Sequence, residues 1–155
     1  MANLSTTKDI LDAMQAAMIA AWGDASGVAN IIADANHFIR KLPWEDPSED
    51  DLPGVYLVPV PELIKDATNA SDDYGFGVQV TIAQDSNRNL TANADRLFWW
   101  RETGMGLFYN KRLSGIDGSY KCVVEPKPVI DPANFRDMVD ATAFVVRVWV
   151  RKQRP

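Results

Sequence analysis

Near the N-terminus, apolar residues recur at helical spacing. Ile10, Leu11, Met14, Ala17, Met18 and Ala21 lie on one face, Thr6 and Asp9 form a capping-box pattern, and Gly23 follows. An amphipathic helix over 7–22 is predicted. Residues 27–41 carry Val28, Ile31, Ile32 and Phe38 among Ala and Asn, and neither period wins, so this stretch reads as a short helix or a strand. From Gly54 the pattern turns to β: Val55-Tyr56-Leu57-Val58-Pro59-Val60-Pro61. Its two prolines of one parity remove donors from one edge, which predicts a strand that ends or lies at the rim of a sheet. Tyr74, Phe76, Val78, Val80 and Ile82 alternate with Gly75, Gly77, Gln79, Thr81 and Ala83, the clearest strand of the chain.

Residues 87–91 supply turn and cap chemistry. Ala94, Leu97, Phe98, Met105 and Phe108 then fall near one face of a helix predicted over 92–110, where Gly104 and Gly106 call for a break or a close packing contact. A turn at 114–118 leads into a strand with Tyr120, Cys122 and Val124 on one face, stopped by Pro126 and Pro128. Asp131-Pro132 can open a helical turn over 132–139. In the last run, Thr142, Phe144, Val146, Val148 and Val150 face one way and Ala143, Val145, Arg147, Trp149 and Arg151 the other. The order α-β-β-α-β-β predicts an α+β fold, a mainly antiparallel four-stranded sheet with two helices packed on one face.

A chain of 155 residues, 46% of them hydrophobic, fits a single domain, here 1–155 with a basic tail over 151–155. It is long enough to fold without a disulfide framework. Cys122 is the one cysteine, which excludes an internal disulfide and a cysteine-cluster zinc site and suits a reducing cytoplasm. The net charge of −5 argues against nucleic acid as the ligand. The apolar stretch over 14–22 is too short to span a bilayer and follows no basic signal-type segment, so a soluble protein with no membrane partner is expected.

No catalytic constellation emerges. His37, the single histidine, excludes a histidine-pair metal site and has no nucleophile motif beside it; a structural role is expected. Cys122, on the apolar parity of its strand, is expected to be an unreactive core thiol. Gly75-Phe76-Gly77 and Gly104-Met105-Gly106 lack the third glycine and the strand-to-helix setting of a nucleotide loop. One enzyme reading remains, a divalent-metal site of Asp72, Asp73 and Glu102. The expectation is a noncatalytic protein that holds neither cofactor nor metal.

Two aromatic stretches call for partners. Leu97-Phe98-Trp99-Trp100 covers all sides of a helix, whereas one sheet buries one stripe, so Trp99 and Trp100 meet either the domain's own loops or another subunit. Arg147, Trp149 and Arg151 on one strand face either stack as a solvated surface or anchor a subunit contact. The tail bearing Arg151, Lys152 and Arg154 is basic, while residues 45–51 carry Glu45, Asp46, Glu49, Asp50 and Asp51 as an exposed loop. In a homo-oligomer the two can meet across an interface. These residues, with the loop over 62–73, are the candidate contact sites.

The layout resembles a known family. A leading helix, an acidic Pro-rich loop, the strand Leu52-Pro53-Gly54-Val55-Tyr56-Leu57-Val58-Pro59 and a variable loop precede the strand from Tyr74 to Ile82, the Asp95-Arg96-Leu97 helix and the closing Phe144-Val145-Val146-Arg147-Val148 strand. Over residues 5–151 this order is similar to the tail terminator or tail-completion proteins (minor tail protein U-like) of long-tailed bacteriophages and, less specifically, to their neck and head–tail joining relatives. The resemblance implies a structural virion protein whose copies form a ring, typically a hexamer, on the tail tube. Its partners would be itself, the tube protein and the head–tail connector, and no active site is needed.

Overall fold

The computed structural model describes residues 6–39, 52–85, 90–130 and 139–154. In chain order the elements are α1 (Thr6–Trp22), a 3-10 turn (Asp34–Asn36), β1 (His37–Ile39), β2 (Gly54–Asp66), β3 (Ser71–Asp85), α2 (Leu90–Phe108), β4 (Ser119–Pro126) and β5 (Val139–Gln153). The fold is α+β. Its sheet is five-stranded in the order β1-β2-β3-β5-β4 and mixed, because β1 runs parallel to β2 while the other neighbours are antiparallel. This corrects the four-stranded antiparallel expectation. A three-residue strand is too short to show a period, and its partner, Val55–Leu57, lies across a long sequence separation.

Both helices pack on one face of the sheet. Ile10, Leu11, Met14, Met18 and Trp22 of α1 and Leu97, Trp100 and Phe108 of α2 join one cluster with Val55 and Leu57, with Phe76, Val78, Val80 and Ile82, with Cys122, and with Phe144, Val146, Val148 and Val150. The alternating strands therefore send their apolar parity inward, as period two requires. Arg101 of α2 is also buried. Its guanidinium donates to the Thr142 hydroxyl at 2.7 Å and to the carbonyls of Ala143 and Lys127 at 2.6 and 2.7 Å. Three oriented oxygens satisfy the buried cation, and its desolvation lowers the pKa of the group.

Neither glycine breaks α2. A Cβ at Gly104 would stand 3.0 Å from Phe144 Cζ and 3.1 Å from Trp22 Cη2, so this glycine lets the helix approach the sheet and α1. At Gly106 a Cβ would meet nothing within 4 Å.

Pro59 and Pro61 do not stop β2, which continues to Asp66 with a bulge between Val60 and Leu63. β1 covers only Val55–Leu57, so both prolines fall where β2 has no described strand on its outer side and a missing N–H costs no ladder bond. The stretch expected as a loop over 62–73 is mostly the end of the β2–β3 hairpin, with Asp66 opposite Asp72 and a turn over 67–70. A second bulge, between Ser119 and Lys121, overturns the expected placement of Tyr120 beside Cys122. The extra residue turns Tyr120 to the opposite face, where its hydroxyl donates to Asp73. Of the helical turn expected over 132–139, residues 132–138 lie outside the described residues, and Val139 is the first residue of β5.

Candidate interaction surface

The face of the sheet turned away from the helices is built from the small residues of β3 and the large ones of β5. Register sets Gly75 opposite Trp149, Gly77 opposite Arg147, Gln79 opposite Val145, Thr81 opposite Ala143 and Ala83 opposite Ala141. At the end near β1 it closes as a small apolar cluster of Tyr56, Ala83 and Ala141 with Phe38 and Leu52, in which the Phe38 and Tyr56 rings stack at 5.2 Å.

Arg147 lies in the middle, and the sequence reading of it as an exposed contact is corrected: it is 8% exposed. Gly75 and Gly77 leave the floor on which its side chain rests. A Cβ at Gly75 would stand 2.9 Å from Arg147 Cδ, and one at Gly77 3.1 Å from Arg147 Nη1. Flattened there, Arg147 donates through Nη1 to the carbonyls of Gly75 at 2.9 Å and Pro61 at 3.2 Å, and through Nε to Glu125 at 2.7 Å. The bulge in β2 presents the Pro61 carbonyl. The Gly-x-Gly pair, without the marks of a nucleotide loop in the sequence, is thus a bed for an arginine.

Trp149 is half-buried beside Gly75, its Cη2 3.0 Å from where a Cβ would stand there, and the Lys65 ammonium sits 5.0 Å from its ring centroid. Lys65, Asp73, Tyr120, Lys121, Val123 and Trp149 line a groove of about 320 Å³ open to solvent. Arg151 occupies Asp73 through a 2.8 Å ion pair and stacks 5.5 Å from the Tyr120 ring. That hydrogen-bonded pair holds the Asp73 carboxyl below its usual range and raises Arg151. Lys65 and Lys121 make no ion pair among the described residues. With Asp73 neutralised by Arg151, the groove carries two uncompensated positive charges above an aromatic floor.

The basic tail is engaged within its own chain. Arg154 pairs with Asp72 at 2.6 Å and Asp66 at 3.1 Å, which lowers the Asp72 pKa. Lys152 donates to the Thr6 hydroxyl at 2.7 Å and lies 5.7 and 5.3 Å from the Tyr74 and Phe76 rings. Arg151 is exposed and remains on the surface. Trp100 is corrected to a core residue: it is fully buried, donates its indole N–H to the Asn30 carbonyl at 3.0 Å, and carries the Arg96 guanidinium 5.0 Å from its ring. Trp99 is half-buried against the same core. The chain's own loop thus covers the helix side that the sheet cannot reach. Glu45, Asp46, Glu49, Asp50 and Asp51 lie outside the described residues.

The carboxylates of the enzyme reading are not brought together. Asp72 and Asp73 are successive residues of β3, each held by a different arginine, and Glu102 is an exposed residue of α2. Among the described residues no group of three His, Cys, Asp or Glu side chains is placed to hold a metal, and no helix is long and apolar enough to cross a membrane.

His37 is buried, its Nε2 accepting from the Trp22 indole N–H at 2.9 Å. Its Nδ1 therefore carries the proton and faces the Ala33 carbonyl at 3.0 Å. Burial lowers its pKa. Burial also pushes the Cys122 thiol up to about 11. The sequence reading missed Lys121, whose parity opposite Cys122 already put it on this face, and Tyr120, which reaches the groove through a bulge that no alternation reveals. No model of a known protein family matches the chain, and no curated protein matches it.

Proposed function

We propose that this chain is a noncatalytic structural subunit of a bacteriophage virion, a tail terminator. Its copies close into a ring, typically a hexamer, on the end of the tail tube, stop tube growth and offer a surface to the head connector. The observation that carries the reading is the sheet's second face together with the hairpin that extends it. No described helix covers this face, it holds a half-buried tryptophan in a cationic groove, and its β2–β3 end exposes Leu63 by 46%, while Ile64, 63% exposed, projects from the other side of the same hairpin. Exposed aromatic, cationic and aliphatic side chains of this kind are what subunit contacts use. The order of elements quoted for the tail-terminator resemblance supports the same role. Side-by-side contacts between different patches close into a ring when the rotation per copy divides a full turn.

Electron microscopy of phage particles assembled without the protein tests the role. Overlong tails are expected. Tails of normal length that fail to join heads would assign the protein to the neck on the head side, and normal joined particles would refute both roles.

A further inference from the structure

We infer that the groove over Trp149 is a docking site for an acidic segment of a different protein, one that carries carboxylates on either side of an apolar residue. The inference rests on the proposed role for that partner's place in the virion, and it leaves the rest of the face and the hairpin to contacts between copies. Leu63, Gly75, Trp149 and Lys121 are register partners across β2, β3, β5 and β4, so they form one row on one face. Gly75 is the gap in that row. With no side chain on β3 there, the Trp149 ring lies over the strand, and Lys65 of β2 brings its ammonium to 5.0 Å from the ring centroid. Lys121 stands across from Trp149 on the other side. Two ammonium groups therefore converge on one indole, and the exposed Leu63 continues the apolar floor.

Charge selects the occupant. Lys65 and Lys121 are exposed, and neither makes an ion pair among the described residues. The one carboxylate of the groove, Asp73, is closed off by Arg151 at 2.8 Å and by the Tyr120 hydroxyl at 2.9 Å. Like charges gathered at one ring without a counter-charge attract an anion, and the indole beneath them favours an anion that also brings apolar surface. The same groove of another copy is the wrong occupant, because face-to-face pairing sets lysine against lysine. A nucleic acid strand fits less well. It draws its affinity from many phosphates, whereas the groove offers two ammonium groups on a chain with a net charge of −5. A protein segment needs no such run of charge: its carboxylates satisfy the two lysines, and an apolar side chain between them covers Trp149 and Leu63.

An NMR titration of the full chain tests the site. The probe is the peptide acetyl-Gly-Glu-Glu-Leu-Glu-Glu-Gly-amide, and the readout is the Trp149 indole N–H signal, identified by its loss in Trp149→Phe. Saturable movement of that signal is expected. It should weaken as salt is raised, and Kd should rise about tenfold or more in Lys65→Glu/Lys121→Glu, through lost attraction and new repulsion. Both substituted positions are exposed, so the rest of the spectrum should stay as in the wild type. No movement overturns the inference, as does equal binding by the double variant or by a control peptide with Gln for each Glu. Tighter binding of hexathymidylate would assign the groove to nucleic acid and overturn it as well. Sedimentation of the wild type and the double variant separates a different protein from a second copy. Equal self-association is expected; its loss in the variant would make the groove a contact between copies and refute the docking. The tail-terminator role stands or falls separately, on the particles assembled without the protein: normal particles together with peptide binding would refute that role and keep the site.

Discussion

Replacing Gly104 and Gly106 of α2 separately by alanine sets helix propensity against packing within one turn. In an exposed helix interior alanine is about 1 kcal/mol more favourable than glycine. Gly106 is exposed, with nothing within 4 Å of a built Cβ, so Gly106→Ala should gain about 1 kcal/mol. At this chain length that raises Tm by about 2–4 °C. Gly104 is buried, and its Cβ would press at 3.0 and 3.1 Å on Phe144 and Trp22, both fully buried rings without room to retreat. Overpacking of this kind costs about 1–3 kcal/mol, which outweighs the same propensity gain, so Gly104→Ala should lose about 1 kcal/mol net. Urea denaturation of both variants at one pH, with unchanged m-values, reads the two signs. Equal stabilisation by both substitutions would show that α2 does not approach the sheet as closely as these contacts require.

Three further predictions concern buried polar groups. His37 holds its pKa below the ordinary 6.5 because the buried imidazole accepts from Trp22 and its charged form loses water. The unfolded chain then takes up the proton first, so stability is full above about pH 6.5 and falls as pH drops from there towards the folded value. His37 is the only histidine, so urea midpoints between pH 7.5 and 5 should carry this slope, and His37→Gln should flatten it. Cys122, at about 11 against an ordinary 9.0, should react with a thiol reagent at pH 8 about a hundredfold or more slowly in the native state than in urea; equal rates would place it at the surface. Arg147→Ala should cost about 2–4 kcal/mol, since it removes bonds to Gly75, Pro61 and Glu125 and empties the bed over the two glycines; a loss within 0.5 kcal/mol in a denaturant titration would mean the arginine is not buried as described.

Much of the architecture is legible from period alone. The helix before Gly23 and the β3 and β5 alternation each repeat over enough residues for one face to be distinguished from the other, and each lies where its apolar side predicts, whereas on α2 the expected stripe holds for Leu97, Met105 and Phe108 while Trp100, not Phe98, joins the core. Cys122 as a buried thiol and His37 as a structural residue were equally readable, because neither stood beside residues that could make it reactive.

What escaped the sequence involves short elements, bulges or pairings between distant segments. β1 has three residues and a parallel partner. Tyr120 changes face through one extra residue in β4. The arginines of β5 looked alike by alternation, yet Arg147 is buried and Arg151 is not, because only Arg147 lies opposite a glycine with a second glycine nearby and has a bulged carbonyl within reach. Trp100 has its cover from Asn30, a contact across 70 residues. Periodicity is a property of neighbours along the chain, so it assigns faces. Which side chain on a face is buried depends on what the opposing strand or loop leaves open, and that is decided when the sheet assembles.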